Sequence, residues 1–319
     1  MAMKPLEISI KKLRLNTPIF TASGTSGSAD EFGRLENEES IKKSLGAVVS
    51  KGVTLKAKSG NKPPRLIPTN NSGLVNSIGL QNKGAKRFLS EELPLISNYG
   101  LPVFVNISAN TIDEFGRLAG YLIDTEGGNL IRGIEINVSC PNIKEGGVIF
   151  GTNPKAVERV VKAVQRRVEG RVIVVTKLTP NVTDITESAK AAINGGTDVL
   201  SMINTLRALV IDIDAKKPLL GNIYGGLSGP AIKPVGLAMV YQCFDKISEC
   251  KKKKIPIIGI GGISNWKDAL EYIMAGATAV GVGTALFDNL NVFGEIKKGL
   301  QDYLEEESTT IKALVGKAH

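Results

Sequence analysis

Residues 137–142, with the sequence Asn-Val-Ser-Cys-Pro-Asn, bring two amides and one thiol together. Amides donate and accept hydrogen bonds, which suits a planar heterocyclic ligand, and a cysteine can act as a base or a nucleophile. Core packing does not call for two asparagines here, because a buried amide costs free energy unless it is paired. The pattern therefore favours a chemical role for Cys140, with Asn137 and Asn142 beside it. An ordinary strand-end loop with a structural cysteine is the alternative.

The elements that must position this hexapeptide form a repeating series. The apolar, β-branched run at residues 133–138 predicts a buried strand, and Pro141 cannot continue it, so Cys140 falls where strand becomes loop. Similar runs recur along the chain, and segments of helical period follow most of them. The predicted strands are residues 18–22, 46–51, 102–107, 133–138, 172–177, 199–203, 256–260 and 279–282. The predicted helices include residues 153–168, 184–194, 233–248 and 265–274, with Asn153 and Asn265 as capping residues.

Eight strands that alternate with helices predict an α/β fold, a parallel (β/α)8 TIM barrel. An open, doubly wound sheet is disfavoured because no G-x-G-x-x-G follows the first strand. No linker divides the chain, so we expect one domain over residues 1–319, with a short strand or hairpin at residues 6–15. The connections 52–101 and 204–232, after strands 2 and 6, are long enough to be functional loops.

Composition narrows the function. The 319 residues are 42% hydrophobic and 22% charged, as in ordinary globular enzymes. The net charge of +9 is dispersed, and the one lysine run, residues 251–254, precedes a strand, so we expect a solvated surface and no nucleic-acid partner. Three cysteines without ligand spacing and a single histidine, His319, exclude a histidine triad and predict no metal. No apolar stretch could span a membrane, so we expect a cytoplasmic protein with no membrane partner.

Polar residues or glycines follow the carboxyl end of almost every predicted strand, which predicts a polar rim. They are Ser23, Gly24, Lys51, Gly52, Asn106, residues 137–140, Lys177, Asn204, Thr205, Gly261, Gly262, Gly283 and Thr284. The glycine turns after strands 7 and 8 predict a phosphate site, with ordinary tight turns as the alternative. Lys51 and Lys177 end apolar strands and need a negative partner. Glu135 shares the side-chain parity of Asn137, which predicts that it points into the barrel and pairs with one lysine.

These residues resemble the class 1 dihydroorotate dehydrogenases, flavin mononucleotide (FMN) barrel enzymes of de novo pyrimidine (UMP) biosynthesis. The similarity covers nearly the whole chain, and its most specific pieces are residues 137–142, 76–82 and 225–234. The chain is most similar to the catalytic subunit of the heteromeric, cysteine-using branch. One departure is Leu-Arg-Ala-Leu at residues 206–209, where the family usually has a glycine and a methionine.

The resemblance implies that Cys140 takes the C5 proton of dihydroorotate while hydride passes from C6 to flavin N5. It implies substrate contacts by Lys51, Asn76, Ser77, Ile78, Gly79, Leu80, Asn137, Asn142, Asn204 and Thr205. It implies FMN contacts by Ser23, Lys51, Gly52, Asn106, Asn137, Lys177, Ile203, Gly229, Gly261, Gly262, Gly283 and Thr284. Residues 145–151 would close over the substrate. A free thiol has a pKa of about 8.5, so activity should rise toward alkaline pH unless the site lowers that pKa.

The chain lacks a nicotinamide fingerprint and an iron–sulfur cysteine cluster, so its electrons must leave to an external acceptor. The resemblance implies a homodimer and allows for an electron-transfer subunit. A dihydropyrimidine dehydrogenase-like flavin barrel stays an alternative, whereas a transfer-RNA dihydrouridine synthase needs more chain than the residues 288–319 that follow the last strand. A flavin-free, phosphate-binding lyase or isomerase is an alternative of another class, and a non-catalytic scaffold is disfavoured by the polar rim.

Overall fold

Eight parallel strands form the central sheet of this computed structural model, which describes residues 4–25, 42–69, 73–139, 141–142 and 148–319. They are named barrel strands 1 to 8 in chain order: Ile19–Thr21, Val48–Val49, Val103–Ile107, Ile131–Asn137, Ile173–Leu178, Val199–Met202, Ile257–Ile260 and Ala279–Val282. Strands 2 to 8 pair consecutively, and strand 8 also pairs with strand 1. This order confirms the predicted (β/α)8 barrel, and all eight predicted strands are present.

The seam between barrel strands 1 and 2 closes the sheet. One parallel backbone bridge joins Phe20 to Ala47, and the amide of Gly46 donates to the carbonyl of Ile19 at 2.8 Å. The buried hydroxyl of Thr21 accepts from the amide of Val49 at 2.8 Å and donates to its carbonyl at 3.2 Å. The side chain thus takes the place of a backbone partner at this point of the ladder.

Helices cover the outside of the sheet. The longer ones are Ile112–Asp124, Pro154–Val168, Ile185–Asn194, Lys233–Lys246, Trp266–Met274 and Val292–Glu306, and the shorter ones are Ala85–Arg87, Leu93–Ser97, Ser248–Lys251, Ala285–Asp288 and Ile311–Leu314. A π-helical turn, Phe88–Glu92, and the 3-10 turns Gly128–Leu130, Phe150–Thr152 and Pro230–Ile232 complete the set that the structure describes.

The helices form because apolar residues recur every three or four positions and pack on the barrel. In Pro154–Val168 the buried positions include Val157, Val160, Val161 and Val164. The predicted caps are confirmed, since Asn153 accepts from the amide of Ala156 at 3.3 Å and Asn265 accepts from two amides of its own helix. The predicted helix over residues 233–248 is interrupted at Ile247, whose backbone is extended (φ −114°), so that a separate short helix begins at Ser248.

The two long connections pair with each other in a four-stranded antiparallel sheet, called the upper sheet below. Its strands, in spatial order, are Leu206–Leu209, Tyr224–Ser228, Gly73–Asn76 and Leu66–Thr69. Two smaller antiparallel pairs are Pro141–Asn142 with Val148–Ile149, and Ile211–Asp212 with Lys217–Pro218. Both connections leave from carboxyl ends of barrel strands, so the upper sheet stands at that end of the barrel.

An amino-terminal hairpin lies at the opposite end. Its strands, Ile8–Ile10 and Leu13–Leu15, are antiparallel, as predicted for residues 6–15. Lys11 at its turn pairs with Asp198 at 2.7 Å, immediately before barrel strand 6. The lysines at residues 251–254 are exposed before barrel strand 7, at this same end. None of the described helices is long and apolar enough to cross a membrane.

We expect Thr21→Val to lower the free energy of unfolding by about 2 kcal/mol, because it leaves the buried amide of Val49 without an acceptor. Urea unfolding followed by circular dichroism measures this loss. Thr21→Ser keeps the hydroxyl and should cost only about 1 kcal/mol for the missing methyl group. A valine variant as stable as the wild type would contradict the role of the hydroxyl in closing the seam.

Candidate functional site

A cavity of about 1270 Å³ lies between the barrel rim and the upper sheet. The predicted site residues that line it are Ser23, Lys51, Gly52, Asn76, Ser77, Ile78, Gly79, Leu80, Asn106, Asn137, Lys177, Ile203, Asn204, Thr205, Gly229, Gly261, Gly262, Gly283 and Thr284. They come from both long connections and from the ends of most barrel strands. The fold thus brings residues separated by most of the chain to one place.

Cys140, the predicted base, lies outside the described residues. Asn142 is described through its backbone alone, where it pairs with Val148, and residues 145–147 of the predicted closing loop (145–151) are not described. Asn137 and Ser139, which precede Cys140, line the cavity. The roles of Cys140 and Asn142 therefore stay predictions.

An amide network fixes the geometry beside the predicted base. The side-chain nitrogen of Asn204 donates to Oδ1 of Asn137 at 3.2 Å and to Oγ of Ser139 at 2.9 Å. Oδ1 of Asn204 accepts from the amide of Thr205 at 2.8 Å, and Oδ1 of Asn137 accepts from the amide of Ser139 at 3.1 Å. Within the described part of the chain, Nδ2 of Asn137 has no acceptor, so both its hydrogens are available to a ligand.

Two lysines bring positive charge to the cavity. Lys177 is only 5% exposed, and its ammonium donates to Oγ of Ser23 at 2.9 Å. Lys51 also lines the cavity. No carboxylate of the described residues forms an ion pair with either lysine. A buried ammonium without a carboxylate favours an anionic ligand, or a ligand on which negative charge develops.

The predicted pairing of Glu135 with a lysine is wrong. Glu135 is buried in the barrel, but its Oε1 accepts from Nδ2 of Asn106 at 2.7 Å. Asn106 and Glu135 are register partners on barrel strands 3 and 4, whereas Lys177 stands opposite Asn137, two residues nearer the rim. This hydrogen bond orients the Asn106 side chain so that its Oδ1 points away from Glu135 and toward Gly52. A Cβ atom on residue 52 would lie 3.2 Å from that Oδ1.

The glycine turn after barrel strand 7 fits the predicted phosphate site. Gly261 and Gly262 have φ of +134° and +64°, and a Cβ atom on Gly262 would lie 2.8 Å from the carbonyl oxygen of Gly229. Among the described residues, the amides of Gly262 and Ile263 have no acceptor. Free amides in a turn that leads into a helix bind anions. The turn therefore has the donors and the space that a phosphate requires.

The cavity also contains a buried hydroxyl that has no hydrogen-bond partner among the described residues. Ser77 lines the cavity and is 8% exposed, yet its Oγ has no hydrogen-bond partner in the described structure. Buried hydroxyls are normally paired, so a ligand group is expected here. No group of three or more metal-binding side chains occurs among the described residues.

Four further polar residues line the cavity and were not predicted as site residues: three from the first long connection and one from the loop after barrel strand 3. Nζ of Lys58 donates to Oδ1 of Asn110 at 3.3 Å, and the guanidinium of Arg65 donates to Oε1 of Gln81 at 2.7 Å. The sequence could have indicated Lys58 and Arg65, because both are basic residues in the same connection as Asn76. They add positive charge to a cavity that already holds two lysines.

Comparisons with known proteins agree over nearly the whole chain. Residues 5–304 match the family model described as dihydroorotate dehydrogenase. The chain is 44% identical to a protein of Geobacter sp. (strain M21), over 98% of this chain and 97% of the relative. It is 45% identical to one of Caldicellulosiruptor bescii (98% and 98%) and 47% identical to one of Thermoanaerobacter sp. (strain X514; 94% and 93%). Each relative is named as the catalytic subunit of dihydroorotate dehydrogenase B (NAD(+)).

We expect Gly262→Ala to lower the free energy of unfolding by about 3 kcal/mol, because the new methyl group meets backbone atoms and the residue keeps a positive φ. Gly100→Ala is the matched control, since Gly100 has a similar φ of +67° with nothing within 4 Å of its Cβ position. It should cost only about 1 kcal/mol. Urea unfolding compares the two, and equal losses would contradict the tight packing of the turn.

Proposed function

The chain belongs to the dihydroorotate dehydrogenase family, and we propose that the cavity at its barrel rim is where dihydroorotate is oxidised to orotate. The chain is an oxidoreductase of pyrimidine biosynthesis that acts on a CH–CH bond, and the family consists of flavoproteins. One observation carries the proposed location: all predicted site residues except Cys140 and Asn142 line this cavity.

FMN is the flavin that we propose for this cavity. The free amides of Gly262 and Ile263 suit its phosphate, and Nδ2 of Asn137, which has no acceptor among the described residues, suits a heteroaromatic ring. When bound, FMN supplies the ring that accepts hydride at N5. Lys177 would hold positive charge near the ring, with Ser23, Lys51, Gly52, Asn106, Ile203, Gly229, Gly261, Gly283 and Thr284 as the other contacts.

Dihydroorotate is an anion whose ring carries amide and urea groups, and oxidation makes that ring planar. We propose that Lys51 attracts its carboxylate and that Asn76, Asn137, Asn142 and Asn204 bind its ring. The remaining proposed contacts are Ser77, Ile78, Gly79, Leu80 and Thr205. Asn76 is anchored for this purpose, since its Nδ2 donates to the carbonyl of Gly226 at 3.3 Å. The absence of acidic partners for the cavity lysines, within the described ranges, supports an anionic substrate.

Cys140 is the base in this proposal. Oxidation removes a proton from C5 and a hydride from C6, which leaves a double bond between them, and the proton goes to the Cys140 thiolate. No histidine is available, because the single one, His319, stacks on Tyr241 and does not line the cavity. The other two thiols stay protonated and so cannot accept the proton, since burial raises the pKa of Cys243 far above its ordinary value and that of Cys250 to about 12.

The relatives are named as NAD(+) enzymes and as catalytic subunits. We therefore propose that electrons leave this chain through an electron-transfer subunit to NAD⁺. The homodimer, the single FMN-binding domain over residues 1–319 and the cytoplasmic location stay predictions. The family match makes a flavin-free lyase or isomerase the weaker candidate, and a dihydropyrimidine dehydrogenase-like activity is tested by the choice of substrate.

We expect dihydroorotate to bleach the flavin of the purified protein under anaerobic conditions, and Cys140→Ala to slow this reduction at least about 100-fold. Stopped-flow absorbance measures the rate. Cys250→Ala is the matched control, because it also removes a thiol, but one outside the cavity. Unchanged reduction in Cys140→Ala would remove Cys140 from its role, bleaching by dihydrouracil alone would favour the dihydropyrimidine alternative, and a protein without flavin would refute the proposed function.

The rate constant of flavin reduction should rise about tenfold per pH unit below the pKa of the Cys140 thiol, ordinarily about 8.5, and level off above it. The rate constant rises with pH because only the thiolate can accept the proton. Stopped-flow measurements across pH, with dihydroorotate saturating, give the profile. A rate independent of pH between about 6 and 9 would contradict a thiol base that keeps its ordinary pKa.

A further inference from the structure

An ion pair links the two segments that flank the glycine turn of residues 261–264. Nζ of Lys233, at the start of Lys233–Lys246, lies 2.6 Å from Oδ1 of Asp268 and 3.0 Å from Oε2 of Glu271, both on Trp266–Met274. Lys233 follows Gly229 by one short turn, Pro230–Ile232, and Gly229 lines the cavity. The pair thus connects two cavity-lining loops that belong to barrel units 6 and 7.

Asp268 also holds the glycine turn directly. Its Oδ2 accepts from the amide of Ser264 at 2.9 Å, from Oγ of Ser264 at 2.8 Å and from Nδ2 of Asn265 at 2.9 Å. The residue is 7% exposed, so these donors replace water around a buried carboxylate. Burial raises the pKa of Asp268, but the hydrogen bonds from Lys233 and Ser264 outweigh it and leave the pKa below its ordinary value.

The opposite side of the turn is fixed by Tyr272. This tyrosine is fully buried, and its hydroxyl donates to the carbonyl of Gly261 at 2.8 Å. The carbonyl of Gly261 and the amide of Ser264 are therefore both held from the helix Trp266–Met274. Between them, the amides of Gly262 and Ile263 have no acceptor among the described residues. The anchors surround the two free donors without using them.

We propose that Asp268, held by Lys233, is a positioning residue that aims the amides of Gly262 and Ile263 at a phosphate, and that it thereby sets the preference for FMN over riboflavin. This inference rests on the proposed function. Asp268 lies beside the proposed site for an anion, and Lys233, which it shares with Glu271, offsets part of its negative charge. It acts through the backbone of the turn and touches no ligand itself.

Asp268→Asn is the first test, because asparagine has the same size but one acceptor oxygen fewer and two donor hydrogens. It must turn its amide nitrogen toward either Lys233 or Ser264, which are both donors. We expect the dissociation constant for FMN to rise about tenfold or more, and that for riboflavin to change less than about twofold. Flavin fluorescence titrations of the full-length chain give both constants without a measurement of turnover.

Asp302→Asn is the matched control. Asp302 pairs with Lys298 at 2.8 Å on the exposed face of Val292–Glu306, so the variant breaks an ion pair of the same kind outside the cavity. It should leave both constants unchanged. Tyr272→Phe is the second test, because it keeps the buried ring and removes only the hydroxyl that holds Gly261. Tyr272→Phe should also lower the ratio of FMN to riboflavin affinity. It provides the test if Asp268→Asn folds poorly.

The outcomes separate the two proposals. Equal losses of FMN and riboflavin affinity in Asp268→Asn, or no loss of either, would overturn the positioning role while the wild type still binds FMN. A wild type that binds FMN no better than riboflavin would overturn it as well. A wild type that binds neither flavin would overturn the proposed function and this inference together.

Discussion

The register of the parallel ladder is the constraint on which the site depends. In a parallel sheet, register partners lie at the same height and point to the same face, so the ladder decides which interior side chains meet. Asn106 meets Glu135, and Lys177 meets Asn137 two residues nearer the rim. The buried carboxylate of Glu135 is tolerated because the amide of Asn106 donates a hydrogen bond to it. The buried ammonium of Lys177 has no carboxylate partner among the described residues, because Glu135 lies two residues farther from the rim. The charge of the cavity is thus a consequence of strand alignment.

The two ends of the cavity are built by different means. Near barrel strands 4 and 6, side chains from barrel strands and from the upper sheet point inward, and Asn204 aligns Asn137 with Ser139. At the glycine turn after barrel strand 7 the free donors are backbone amides, so the chain must control conformation more than side-chain identity. Glycines allow that conformation, and Asp268 and Tyr272 hold it from behind. Substitutions at the two ends should therefore act differently, through lost contacts at one and through altered backbone at the other.

Much of the fold follows from local sequence patterns, whereas the pairing of distant strands and of buried side chains does not. Apolar runs and capping asparagines located all eight strands and the start of Pro154–Val168, and the residues after the strands located the part of the cavity lining that the barrel rim supplies. The break at Ile247 has no local signal, since isoleucine is compatible with a helix. To predict the partner of Glu135 one must know the register of two strands. To predict the upper sheet one must know that two distant connections pair, and neither fact is present in the local sequence. Lys58 and Arg65 lie outside the helices and the strands named above, where no periodicity marks the side that faces the cavity.

The upper sheet also has a consequence for synthesis on the ribosome. Asn76 bonds to Gly226, which follows it by 150 residues, so the hairpin of Leu66–Thr69 and Gly73–Asn76 emerges long before its neighbour. An isolated hairpin is marginally stable, and its open edge can pair with other chains. The upper sheet therefore forms only after barrel strand 6 and most of the connection that follows it have been translated. A nascent chain shorter than this lacks both the upper sheet and the glycine turn of residues 261–264, so the cavity is enclosed only late in synthesis.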